Sequence, residues 1–91
     1  MRSVQLRIIG RVQGVGYRAW ALQVASRLGL RGWVRNRSDG SVEALVIGED
    51  DAVARMIEAY REGPFGARVS DVAISDAEDD GSAGFTAKPT V

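Results

Sequence analysis

Along the first residues of the chain, Val4, Leu6 and Ile8 alternate with Gln5 and Arg7, which is the two-residue period of a half-buried strand. From Tyr17 the pattern changes. Apolar residues at 17, 20, 21, 24, 25 and 28 fall on one stripe at helical spacing, and Gly29 supplies a C-terminal stop. Residues 30–36 and 41–48 predict two strands, joined through Arg37, Ser38, Asp39 and Gly40 as a hairpin with a Ser-Asp-Gly turn. A second helix follows: Asp50 or Asp51 can cap it, and Val53, Met56, Ile57 and Tyr60 sit at i, i+3, i+4 and i+7 before Gly63-Pro64 ends it. Val69, Val72 and Ile74 predict a fourth strand whose broken alternation points to a bulge. Residues 76–82 read as an acidic turn and residues 84–87 as a short last strand, which Pro89 does not let continue.

The predicted order is β-α-β-β-α-β, an α+β arrangement with the split βαβ unit of ferredoxin-like folds: an antiparallel sheet with two helices packed on one face. Ninety-one residues are expected to make one domain, 1–91, with room for one modest core. No linker, repeat or low-complexity tract interrupts it. This architecture hosts many activities, so function has to be read from a site.

Composition narrows the chemistry. The chain has no cysteine and no histidine, which excludes disulfides and thiolate chemistry and removes the commonest general base and metal ligand. No apolar run approaches membrane-spanning length, and the first residues lead into alternation instead of the continuous apolar core of a signal peptide. A cytoplasmic monomer is expected, with no membrane partner. Net charge is zero but unevenly spread: residues 1–48 hold eight arginines against two acids, and residues 49–91 hold four basic residues against ten acids. A positive first half favours a small anionic ligand, unless the charges mix in space as on an ordinary solvated surface.

Within that half, residues 10–18 read Gly-Arg-Val-Gln-Gly-Val-Gly-Tyr-Arg, between the first strand and the first helix. Gly14 and Gly16 can take φ > 0, which lets successive N–H groups converge, and the helix adds its positive end. Arg18 brings a permanent charge and a planar fork of donors suited to phosphate or carboxylate. A cation in a first helical turn opposes the helix dipole, so its placement makes most sense with an anion beside it. The alternatives are a plain tight turn for the glycines and a surface ion pair for Arg18. A Walker loop is excluded by the missing Gly-Lys-Ser/Thr, and the dinucleotide fingerprint by the missing third glycine at 19.

This loop resembles the first signature of the acylphosphatases, Gly-x-Val-Gln-Gly-Val-x-Phe-Arg. A second stretch, Gly32-Trp33-Val34-Arg35-Asn36 followed by Gly40, Val42 and Gly48, resembles the family's second signature at the same spacing. Together the resemblance covers residues 4–88. It implies hydrolysis of acyl phosphates without cofactor or metal. Arg18 corresponds to the phosphate-binding arginine, the main-chain N–H groups of Gln13, Gly14, Val15, Gly16, Tyr17 and Arg18 to the phosphate cradle, and Asn36 to the group that orients the attacking water. By its type alone, Asn36 is equally a turn residue or an amide able to hold water beside an anion.

The leaving group fits that chemistry. An ordinary phosphate ester expels an alkoxide, which needs a general acid or a metal. An acyl phosphate expels a carboxylate whose conjugate acid has a pKa of about 4, so positioning and charge stabilisation suffice. The proton of the attacking water is expected to pass to the bound phosphate, as proposed for the family. Inorganic phosphate, the product, is expected to inhibit competitively.

Some positions depart from the family pattern. Tyr17 stands where Phe is usual and brings a hydroxyl that needs a partner, and Ala87, Lys88 and Pro89 do not continue the usual Arg-Tyr ending. Trp20 and Trp33 are expected to pack, not to bind ligand, and the acids at 76, 78, 79 and 80 do not match a calcium loop. Two other readings stay open. A chain starting at Met1 and ending soon after its last strand is expected to be freestanding, but a recruited or non-catalytic domain of a carbamoyl-transferring maturation protein would look the same. An RNA-binding sheet is the other, although paired exposed aromatics and a basic surface are missing, so no nucleic-acid partner is expected.

Overall fold

The computed structural model describes residues 1–91. Its elements are β1 (Arg2–Arg11), α1 (Tyr17–Arg27), β2 (Arg31–Asn36), β3 (Val42–Gly48), α2 (Asp50–Glu62), β4 (Arg68–Asp76) and β5 (Phe85–Ala87). The five strands form one sheet in the order β4-β1-β3-β2-β5. The four long strands pair antiparallel, and the short β5 adds to the edge parallel to β2. This is the ferredoxin-like arrangement that the alternating and helical stripes predict.

Register follows from the buried face. Val4, Leu6 and Ile8 of β1 lie opposite Val46, Ala44 and Val42 of β3, and all six are essentially without solvent contact. Against them pack Tyr17, Ala21 and Ala25 from α1 and Val53, Met56, Ile57 and Tyr60 from α2. A one-residue slip would turn every one of these strand side chains outward, so burial fixes the pairing. The expected bulge is in β4: Ile9 pairs with Asp71 and Gly10 with Val69, so Ser70 is the extra residue. The start of α2 differs from expectation. Glu49, not Asp50 or Asp51, is the N-cap residue, without a side-chain cap, and both aspartates lie in the first turn, where they complement the helix dipole.

The other face of the sheet holds a charge network that alternation does not reveal. Glu43 reads as a solvent-facing position of β3, yet it is only 3% exposed. Its carboxylate accepts from Arg35 Nε at 2.7 Å, from Arg37 Nη1 at 3.2 Å and from the Gln5 amide, with Arg7 Nη2 at 4.0 Å. Burial pushes this carboxyl up, but the Arg35 hydrogen bond and charge, joined by Arg37 and Gln5, outweigh it and hold Glu43 below its ordinary value. Its contribution to stability is therefore present above the unfolded value of about 4.3 and lost as pH falls through the lower folded value. Glu43→Gln should cost about 1–3 kcal/mol at pH 7. Urea unfolding of the two proteins between pH 7 and pH 3 should show the difference shrinking on the acid side.

The charge asymmetry of the sequence is thus partly local and partly mixed. Arg31 of the positive half bonds Asp79 of the negative half, and Trp33 Nε1 donates to Asp80 at 3.3 Å.

Candidate functional site

Residues 12–16 carry the chain from the end of β1 to the start of α1. Val12 is fully buried and pins the loop to the core. Gly14 and Gly16 have φ of 76° and 73°, and a Cβ on either would meet open space, so glycine is required there by backbone conformation and not by crowding. Gly16 is the N-cap residue of α1, which has neither a side-chain cap nor an acid in its first turn. The first intrahelical bond runs from the Trp20 N–H to the Gly16 carbonyl at 3.0 Å. No main-chain N–H of residues 13–19 donates to any protein acceptor. The loop and the first turn therefore present a run of free donors at the positive end of a helix.

These donors border a cleft of about 370 Å³. Gln13, Gly14, Gly16, Tyr17 and Arg18 line one side and Asn36 another, with Ala19, Leu22 and Ala87 forming an apolar wall. Five of the six residues expected to cradle the anion are thus brought together, with Asn36 facing them. Val15 is the exception: it does not line the cleft, and its side chain packs on the core. Its N–H remains free.

Arg18 is exposed and makes no hydrogen bond or ion pair, so the surface pair that the sequence left open is not formed. Asn36 is the last residue of β2. Its main chain is set opposite Val42 on one side, and its carbonyl accepts from the Val91 N–H at 3.2 Å on the other. Its side-chain amide has no protein partner.

Tyr17 has one. Its hydroxyl donates to the Tyr60 carbonyl at 2.7 Å, satisfying an acceptor in the last turn of α2. The two rings stack at 5.9 Å, and Trp20 meets Tyr17 edge-on at 5.1 Å, so Trp20 packs behind the loop as expected. Burial pushes both phenols well above their ordinary range, and for Tyr60 the Tyr17 charge adds to it. Neither can serve as an acid or base at neutral pH. Trp33 lies away from the cleft, with the Arg35 guanidinium 4.6 Å and the Lys88 ammonium 5.0 Å from its ring centre.

The atypical ending keeps its contact to the sheet through main chain. Lys88 N–H donates to the Val34 carbonyl at 2.9 Å and Ser38 N–H to the Val91 carbonyl at 2.7 Å, which prolongs the line of β5 beside β2. One side chain does more than the sequence indicates. Gln13, expected to act through its N–H, also sends its side-chain amide to the Arg37 and Ser41 carbonyls, each at 2.8 Å. No cluster of three Asp or Glu side chains is placed to hold a metal ion.

Comparison with known proteins gives a consistent result. The family model described as Acylphosphatase matches residues 4–87. An acylphosphatase of Mesorhizobium japonicum is 57% identical over 77 residues, which are 85% of this chain and 82% of that protein. The crystal structure of an acylphosphatase from Bacillus subtilis superposes with a TM-score of 0.93 at 34% identity, covering 97% of this chain and 99% of that one. A segment of full-length HypF, solved in a phosphate- and nucleotide-bound form, is also similar, with a TM-score of 0.90 at 26% identity over 98% of this chain and 12% of that one.

Proposed function

The chain belongs to the acylphosphatase family and catalyses that family's reaction, the hydrolysis of a carboxyl–phosphate bond; from that premise we propose how its residues divide the work. The phosphoryl group binds against the N–H groups of Gln13, Gly14, Val15, Gly16, Tyr17 and Arg18, with the Arg18 guanidinium supplying the full positive charge. Asn36 holds a water opposite the leaving group. The water oxygen bonds to phosphorus as the bond to the acyl oxygen breaks, the carboxylate departs with that electron pair, and the water's proton passes to a phosphoryl oxygen.

One observation supports this reading above the others: Arg18, Asn36 and every loop residue from 13 to 17 except Val15 border one cleft, and the Arg18 guanidinium, the Asn36 amide and the loop N–H groups have no protein partner. The acyl group then rests against Ala19, Leu22 and Ala87, where no charge is needed to receive it. A monomeric single domain, 1–91, is the form proposed. No helix is long and apolar enough to cross a membrane, and a cytoplasmic location is the one proposed.

The leaving-group argument has a direct test. Hydrolysis of acetyl or benzoyl phosphate should persist after exhaustive treatment with a chelator, because the proposed steps need no Lewis acid. Activity towards p-nitrophenyl phosphate and simple alkyl phosphates should be at least about a thousandfold lower, since their leaving groups need help that the cleft does not offer. Loss of activity with chelator and rescue by magnesium would overturn the metal-free mechanism, and comparable kcat/KM on the esters would overturn the leaving-group argument. The similarity to part of HypF favours a second reading, a domain that binds the anion as part of a larger protein. Turnover of acetyl phosphate by the isolated chain separates the two.

A further inference from the structure

The phosphate loop and the strand that carries Asn36 reach the cleft from different parts of the chain. Only two hydrogen bonds join residues 12–16 to residues 36–41, and one side chain makes both: Gln13 Nε2 donates to the Arg37 and Ser41 carbonyls at 2.8 Å each. Those carbonyls are the two ends of the turn that follows Asn36. Within it, the Arg37 N–H donates to the Ser41 carbonyl at 2.9 Å and the Gly40 N–H to the Arg37 carbonyl at 3.1 Å. A carbonyl only accepts, so the NH₂ end of the Gln13 amide has to face the turn, and both of its donors are used. Binding phosphate through the Gln13 N–H does not require this side chain, because any residue other than proline offers the same N–H.

We infer that the Gln13 side chain is a positioning residue for hydrolysis, fixing the distance between the phosphate loop and Asn36 and so the line along which water meets phosphorus. The inference rests on the role proposed above for Asn36. Asn36 is held within the sheet through its main chain, and its turn is fastened to the loop by Gln13 alone among hydrogen-bonding groups. In-line attack is sensitive to such placement: a displacement of about 1 Å can cost roughly a hundredfold in rate.

The test uses Gln13→Met, similar in length but without donors, and Gln13→Glu, similar in shape but presenting acceptors to acceptors. Both should lower kcat for acetyl phosphate by about ten- to a hundredfold, or about 1.4 to 2.7 kcal/mol of barrier. The Kd for inorganic phosphate, measured by calorimetric titration, should change less than about threefold. A parallel rise in KM and phosphate Kd would make Gln13 part of the binding site itself and overturn the inference. So would a lower Tm with unchanged kcat, the mark of a merely structural contact. In an Asn36→Ala background, Gln13→Met should cost nothing further, whereas a full additive loss would show that Gln13 does not act through Asn36. Wild-type turnover in Asn36→Ala alone is a different failure: it removes the role of Asn36, and this one with it.

Discussion

Asn36→Ala should lower kcat for acetyl phosphate by about a hundred- to a thousandfold while inorganic phosphate still binds. The expected size follows from what the residue is asked to do: orient a neutral nucleophile in the transition state without contributing charge to ground-state binding. Its side-chain amide has no partner in the protein, so truncation orphans no buried group, and Tm should move by no more than a few degrees. Steady-state kinetics on the purified variant, beside a phosphate titration, check both halves. Turnover at the wild-type level would remove Asn36 from the mechanism.

Arg18 should show the complementary pattern, losing binding and turnover together. Phosphate at ten times its Kd should stabilise the native protein by about 1.4 kcal/mol. In a domain of this size that corresponds to roughly 5 to 10 °C in Tm. Arg18→Gln should abolish most of that increment and lower turnover by about a thousandfold, while Arg18→Lys keeps the charge without the fork and falls between. Without phosphate, Arg18→Gln should melt no lower than the native protein, because a cation is removed from the positive end of α1 and no ion pair is lost. Melting curves with phosphate and with matched chloride separate these effects. Equal phosphate-specific shifts in the native and Arg18→Gln proteins would place the anion site elsewhere.

Features carried by periodicity or by one residue's conformational demand were legible before the structure. The strand stripe at Val4, Leu6 and Ile8, the helical stripe ending at Tyr60 and the hairpin at Arg37–Gly40 each lie within a short window, where period and turn chemistry suffice. The bulge at Ser70 showed as a broken alternation. Gly14 and Gly16 announced a loop with φ > 0, and Arg18 stood out because its charge opposes the helix it begins.

What stayed hidden joins residues distant along the chain. Glu43 looks solvated in its own strand and is buried by arginines from β1, β2 and the following turn. The acceptor for the Tyr17 hydroxyl is a carbonyl of α2, and the acceptors for Gln13 are turn carbonyls, which every residue type provides equally. No pattern in residue identity can single out such an acceptor. The cap of α2 was missed for a local reason: aspartate suits both the cap and the first turn, and here Asp50 and Asp51 take the first turn.

The strand order also governs how the chain finds its fold. Val4 lies opposite both Val46 and Asp76, so β1 is flanked by two strands that are synthesised after it. Until β3 and β4 exist, β1 is a ribbon with one apolar face and both edges open, the form in which strands of different molecules can pair. The hairpin of β2 and β3 can close locally, but seating β1 requires closure of two long loops before their contacts stabilise anything. Such pairing favours folding in milliseconds to seconds over microseconds. The interval in which the nascent chain needs protection is therefore set by β4, the last of the four long strands to be made.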